Sequence, residues 1–392
     1  MSWMQILRLG CRESVIWFSR SERLFSRLGL YNRGMPLTDL QFNYPILPEQ
    51  REQLSMYIQE AMKVSSNWVE LPPYGGYEEH REAAARWLSR SEESFPSDRV
   101  MIAAGGHCGV MASLMVGGLR GKKIAADAMT YPGFKMQASW MDATLIPCEC
   151  DELGMIPESL EHAAKNDQAA GVYLMPTVHN PLGIVMPLER RKQLCEVARR
   201  HNLVIIDDDA YGFCEAKPPA SFASLAPERS YFVHSFTKPY APAMKVAFVV
   251  FPEGKAKEMA SALRALSSGA PALFVEVASR LIRSGEMEKL LEAKREEAVT
   301  RQKIAAEAFA GLKTTAHPTS FHVWIELPDS KSSDAIGRTL ESEGILVSPS
   351  SGNAARVDVK SNAVRVALGA VRDLGALKAA LKRVREAIDR QL

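Results

Sequence analysis

The sequence predicts an α/β fold, with a large domain built on a mostly parallel sheet flanked by helices and a smaller α+β domain. Three observations lead there. Between residues 100 and 250, short continuously apolar runs alternate with amphipathic helix-like stretches, as expected for strands buried on both faces. Beyond about residue 310 the pattern changes to a few strands and helices of different spacing. The length, 392 residues, exceeds what one small core organises.

The elements follow in chain order. Residues 100–104 read as a strand, 109–119 as a helix, and 123–126 and 144–147 as strands. Residues 171–175 form a buried strand by composition. Residues 188–202 place Leu194, Val197 and Ala198 on one helical face with charges opposite. A four-residue strand of branched side chains at 203–206 comes next, then strands at 231–235 and 246–250. Residues 280–310, rich in Glu, Lys, Arg and Ala, read as long helix. In the tail, 322–327 and 363–367 read as strands, and 338–343 and 377–391 as helices. The expected division is an arm plus part of the small domain at 1–45, the large domain at 46–280, and the small domain at 281–392.

Composition narrows the function. Hydrophobic content of 46%, charged content of 24% and a net charge of +2 describe an ordinary globular protein and give no reason to expect nucleic-acid binding. No 18-residue apolar run suggests a membrane span. The start carries Arg8, Arg12, Arg20, Arg23, Arg27 and Arg33 against Glu13 and Glu22, without the apolar core of a secretory signal. A transit peptide, an arm packing on a partner subunit and an early start codon all remain open for it. The six cysteines are scattered, and the eight histidines do not join them at metal spacing. A reduced, cytoplasmic protein without a bound metal is expected.

In an open parallel sheet, ligands bind beyond the carboxyl ends of the strands, so the residues just after each strand matter most. After 100–104 come Gly105, Gly106 and His107 at a helix start, where backbone N–H groups can approach an anion; a plain glycine turn fits equally. Tyr131, in Thr130-Tyr131-Pro132-Gly133, could lie over an aromatic ligand or simply sit on a turn. Asn180 precedes Pro181, which pushes its backbone out of the helical region and can aim its amide into a cleft. Asp207, Asp208 and Asp209 follow a buried apolar strand, a costly place for carboxylates unless each has a partner. One of them could face a protonated ring nitrogen, with Tyr211 reaching a ring hydroxyl.

Lys238 sits in a short polar turn after the 231–235 run, with Ser235 and Thr237 before it and Lys245 after it. Most turn lysines are solvated. One held between buried strands has a lowered pKa, and its amine can form a Schiff base with an aldehyde. In the tail, Arg365 lies within a strand, where a guanidinium can take a carboxylate with two hydrogen bonds or join a salt bridge on the sheet face.

In this order and spacing, Gly105-Gly106-His107, Tyr131-Pro132, Asn180-Pro181-x-Gly183, Asp208-x-x-Tyr211, Ser235-Phe236-Thr237-Lys238, Lys245 and Arg365 resemble the fold-type I aminotransferases of class I/II, which depend on pyridoxal 5'-phosphate (PLP). The resemblance runs from about residue 70 to 370 and is nearest to the aminotransferase-like domains of GntR-type regulators. It implies that Lys238 carries the cofactor as a Schiff base and moves the proton. It places Asp208 on the pyridine nitrogen, Tyr211 and Asn180 on the ring oxygen, and Tyr131 over the ring. Gly105, Gly106, His107, Ser235 and Lys245 would hold the phosphate, and Arg365 the substrate α-carboxylate. The implied reaction moves an amino group from an α-amino acid to a 2-oxo acid in a homodimer with shared sites.

Four departures accompany the resemblance. The phosphate-side cation is Lys245 rather than Arg, Ala243 replaces a glycine, and Thr319-Ser320-Phe321 replaces a glycine-rich stretch. The tyrosine that reaches the neighbouring subunit aligns near Leu71, with Tyr74 as its candidate substitute.

Three rivals share parts of this reading. Elimination, replacement or cyclisation on PLP would use the same residues. A non-catalytic sensor would resemble the regulator domains, although only some 40 residues precede the matched region. A dinucleotide enzyme built on Gly105 and Asp127 would leave Lys238, Asp208 and Tyr211 without a role.

Overall fold

The computed structural model describes residues 37–64, 67–89 and 93–390. The arginine-rich stretch and Cys11 lie outside these residues. The main sheet has seven strands, in the order Val100–Ala103, Ala247–Val250, Ser230–Ser235, Val204–Asp209, Ala169–Leu174, Lys123–Asp127 and Thr144–Cys148. Ala247–Val250 runs antiparallel to both of its neighbours, and the other pairings are parallel. Helices Gly106–Val116 and Leu188–Arg200 cover the sheet, the second burying Leu194, Cys195, Val197 and Ala198. Ile124, Ile205, Ile206 and Val233 are fully buried, each contributing about 1.5–3 kcal/mol of apolar transfer.

The structure moves several expected boundaries. The strand expected to stop at residue 206 continues to Asp209. Strand geometry sends Asp207 and Asp209 to one face and Asp208 to the other, and each carboxylate meets a donor: Phe222 N at 3.0 Å, His234 Nδ1 at 2.7 Å and Tyr173 Oη at 2.7 Å. Partnered acids can extend a buried strand. The helix expected from residue 109 begins at Gly106, and the one expected from 338 spans Ser333–Ser342, its start capped by Ser332 Oγ accepting from Ala335 N. The single long helix expected over 280–310 is two, Ala272–Arg283 and Glu286–Ala308, separated at Gly285 with φ +75°. Helices Gln50–Val64 and Glu78–Leu88 were not anticipated.

The tail builds a second, antiparallel sheet from Thr314–Thr315, His322–Glu326, Ala363–Ala367 and Ser348–Pro349. Its core includes Ile336, Leu340, Ile345, Val364, Leu377 and Leu381. Glu286–Ala308 serves both cores, placing Met287, Leu291 and Ala298 in the first and Ala305 in the second.

The N-terminal residues of the described chain join the two sheets. Thr38–Asp39 pairs in parallel with Ile345–Leu346, and Leu40 O accepts from Ala367 N at 2.7 Å. The chain then crosses to the large domain, where Gln50 Nε2 donates to Tyr240 O, in the turn after the Ser230–Ser235 strand, at 2.7 Å.

Candidate active site

Lys238 follows the Ser230–Ser235 strand, and its ammonium is the centre of the site. Nζ donates to Asn43 O at 3.2 Å and stands 4.2 Å from the Tyr44 ring centroid and 5.3 Å from that of Tyr211. Burial pushes its pKa down to about 8, further lowered by Arg365 and Lys245 and opposed by Tyr44 and Asp208. At neutral pH such a lysine has an appreciable neutral fraction.

Asp208 faces the same space. Burial raises its carboxyl to about 6, with Asp209 raising it further and the Tyr173 hydroxyl and Lys238 pulling it down. Tyr173 is held flat against Phe134, their ring centroids 3.6 Å apart and their planes within 4°. Tyr211 is buried, and burial pushes its phenol up to about 12.

The anion side is assembled by three segments. Gly105 caps the Gly106–Val116 helix at φ +89°, a conformation suited to glycine. A Cβ at Gly106 would lie 3.1 Å from the Ser235 Cβ, and one at Gly105 would lie 3.7 Å from the Lys245 Cα. Helix amides, the Ser235 hydroxyl and Lys245 therefore converge on one cradle. His107 stacks on Tyr131 at 5.9 Å, and His107 Nε2 and Tyr131 Oη are 3.0 Å apart. Burial, Lys238 and Lys245 lower the His107 pKa. Burial raises that of Tyr131.

Arg365 lies on the Ala363–Ala367 strand and is buried. It donates to Asn180 Oδ1 at 2.6 Å, to Gln41 O and to Ser348 Oγ at 3.3 Å. Its Nε is buried without a protein partner.

Tyr74 stands apart from this cluster in the chain, its ring 5.1 Å from the Arg264 guanidinium. Arg280 and Arg283 both face Glu276, at 2.6 and 3.5 Å. The dinucleotide rival loses its acid, because Asp127 accepts from His179 Nε2 and from the Cys150 thiol, both at 3.1 Å. No cluster of three or more metal-ligating side chains occurs among the described residues.

Sequence reasoning missed several contributors. Asn43 and Tyr44 lie on Lys238, and Tyr173 lies on Asp208. His322 donates from Nε2 to His179 O at 3.1 Å and tilts against Tyr211 at 5.4 Å; burial and Arg365 push its pKa down to about 3. Behind Asp208, Trp87 Nε1 donates to His234 Nε2 at 3.1 Å. Indole N–H can only donate, so the imidazole proton lies on Nδ1 and points at Asp209. The register pairing Asp209 with His234 is the signal that could have found this chain of bonds.

Residues 36–384 match the family profile of aminotransferase class I and II. The chain belongs to this family. Its fold type, enzyme class and reaction are those of the family, PLP-dependent transfer of an amino group. Among relatives, the aminotransferase is 29% identical over 309 residues to an HTH-type transcriptional regulator of Bacillus subtilis, YdeF, covering 79% of this chain and 67% of that protein. It is 27% identical over 299 residues to a 2-aminoadipate transaminase of Thermus thermophilus, covering 72% of each. The fold matches an archaeal alanine:glyoxylate aminotransferase with a TM-score of 0.85 at 20% identity over the whole of both chains. It matches a kynurenine aminotransferase of Pyrococcus horikoshii with a TM-score of 0.82 at 22% identity, over 100% of this chain and 97% of that one. The donor set fits the family's cofactor: an amine of lowered pKa, a buried carboxylate, and a glycine cradle beside a serine and a lysine.

Proposed function

We propose that this aminotransferase exchanges an amino group between an α-amino acid and a 2-oxo acid, with Lys238 as the cofactor anchor and the proton carrier. The observation that supports it most is the Lys238 amine, whose pKa is lowered by burial and which feels the charges of both Asp208 and Arg365. PLP, when bound, supplies an electron sink for the substrate α-carbon. Asp208 would hold a proton on the ring nitrogen. Tyr211 and Asn180 would bind the ring oxygen, and Tyr131 would cover the ring. Gly105, Gly106, His107, Ser235 and Lys245 would hold the phosphate. Arg365 would orient the α-carboxylate, and the Lys238 amine would remove the α-proton and return it on the cofactor side.

The test is turnover with paired substrates, where amino donor and 2-oxo acceptor should both be required. Release of product every cycle without a 2-oxo acid would favour an elimination. Cofactor binding with no turnover on any pair would favour the sensor reading that the similarity to YdeF brings forward. The anchor also predicts a pH dependence. Only the neutral amine attacks an aldehyde, so cofactor uptake by the apoprotein should quicken as pH rises and level off above about 8. A rate flat between pH 6 and 9, followed by visible absorption, would rule out Lys238 as the attacking group.

A homodimer is part of this reading. Met56, Met62, Val69 and Leu71 are exposed apolar side chains, and a second copy would cover them. Light scattering should give twice the 43.3 kDa chain mass. No helix among the described residues is long and apolar enough to cross a membrane. A cytoplasmic location is proposed with the rest, and cell fractionation checks it.

A further inference from the structure

The segment after the first strand crosses the site with a regular pattern. Gln41 O, Asn43 O and Pro45 O, on alternate residues, accept hydrogen bonds from Arg365, from Lys238 at 3.2 Å and from Lys294 at 2.6 Å. Three basic side chains thus hold this strap by its backbone, Arg365 and Lys294 buried and Lys238 half-buried. Lys294 is fully buried in the Glu286–Ala308 helix and fixes the far end.

Tyr44 lies between two of these fixed carbonyls, half-buried, with Phe42 stacked beside it at 6.2 Å. The Tyr44 centroid is nearer to Lys238 Nζ than that of Tyr211, at 4.2 against 5.3 Å. Both lie within the roughly 6 Å over which a ring face attracts a cation. Tyr74, which the sequence offers for the neighbouring subunit's site, faces Arg264 within its own chain.

We propose that Tyr44 is a positioning residue for Lys238, its ring face seating the ammonium in the cleft of its own chain. The ring opposes the loss of hydration that burial imposes on the cation. It also fixes the direction from which the amine approaches a carbonyl. The proposal rests on the reading of Lys238 as cofactor anchor, but the titration of that amine can be measured without cofactor.

The experiment is competitive acylation of the apoprotein with acetic anhydride across pH, with the Lys238 peptide followed by mass spectrometry. Tyr44→Leu should lower the Lys238 midpoint by about half a pH unit, a cation–π contribution of about 0.5–1 kcal/mol converted at 1.36 kcal/mol per unit. Tyr44→Phe should titrate with the parent. Pentafluorophenylalanine at position 44 keeps the shape and reverses the ring charge, so it should fall below the Phe variant and serves if Tyr44→Leu does not fold. Unchanged midpoints with leucine or the fluorinated ring would overturn the proposal. Borohydride fixation of PLP provides the separate check on the anchor. Fixation on a lysine other than Lys238 would defeat the functional reading while leaving the Tyr44 titration to stand or fall by itself.

Discussion

Lys238→Arg should lower amino-group transfer by about 10⁴-fold or more, because both covalent anchoring and proton transfer pass through the one amine. Arginine keeps the positive charge and can still reach a carbonyl oxygen such as Asn43 O. Its guanidinium does not deprotonate in proteins and forms no Schiff base. The loss should therefore appear without a loss of fold, with the circular dichroism of the parent retained. Added primary amine should restore part of the activity, since a free amine can carry the proton that the side chain no longer moves. Retention of more than a few per cent of turnover would assign the chemistry to another group. Lys245 is the nearest alternative cation in sequence, but it lies beside Gly105 on the anion cradle.

Arg365→Leu is expected to lower kcat/KM for amino acids by about 10²–10³-fold, the range of a buried charged hydrogen-bonding group removed from a carboxylate. The guanidinium is already oriented before substrate arrives, by Asn180 Oδ1, Ser348 Oγ and Gln41 O. Removing it takes away the cation and also frees the Asn180 amide. Arg365→Lys should recover only part of the loss, because an ammonium lacks the planar fork. A comparison with the amine lacking the α-carboxylate separates binding from structure. The parent should prefer the amino acid strongly, and the leucine variant should scarcely distinguish the two. Equal losses on both substrates would mean that Arg365 only supports the fold.

The parts of this site legible in the sequence are those whose chemistry demands a residue type. A Schiff base needs Lys238, a ring nitrogen needs an acid such as Asp208, and a carboxylate suits Arg365. The structure puts Asp208 and Lys238 at the carboxyl ends of neighbouring strands of the large sheet and Arg365 in the middle of a small-sheet strand. The strap at 41–45 was not legible because its contribution is made by backbone carbonyls, which almost any residue supplies. Tyr173 and His322 were hidden inside apolar runs, where period and composition signal a strand and nothing else. The three acids misled the boundary at residue 206 because their partners lie elsewhere in sequence: Tyr173, Phe222 and His234. The break at Gly285 was masked by the strong helix formers on either side of it.

The pairing of Thr38–Asp39 with Ile345–Leu346 bears on how the protein is made. Thr38–Asp39 leaves the ribosome well before Ile345–Leu346 and waits for a partner about 300 residues away. At roughly 5–20 residues per second that delay is about 15 seconds to a minute. Closing so long a loop costs about 5 kcal/mol of chain entropy before the pairing returns anything. Until then the carbonyls that meet Arg365, Lys238 and Lys294 are not in place. A nascent large domain would present Lys238 without Arg365 in place and without Tyr44 beside it. Competence for catalysis then waits on the small domain, whose synthesis lets residues 41–45 be laid beside Lys238.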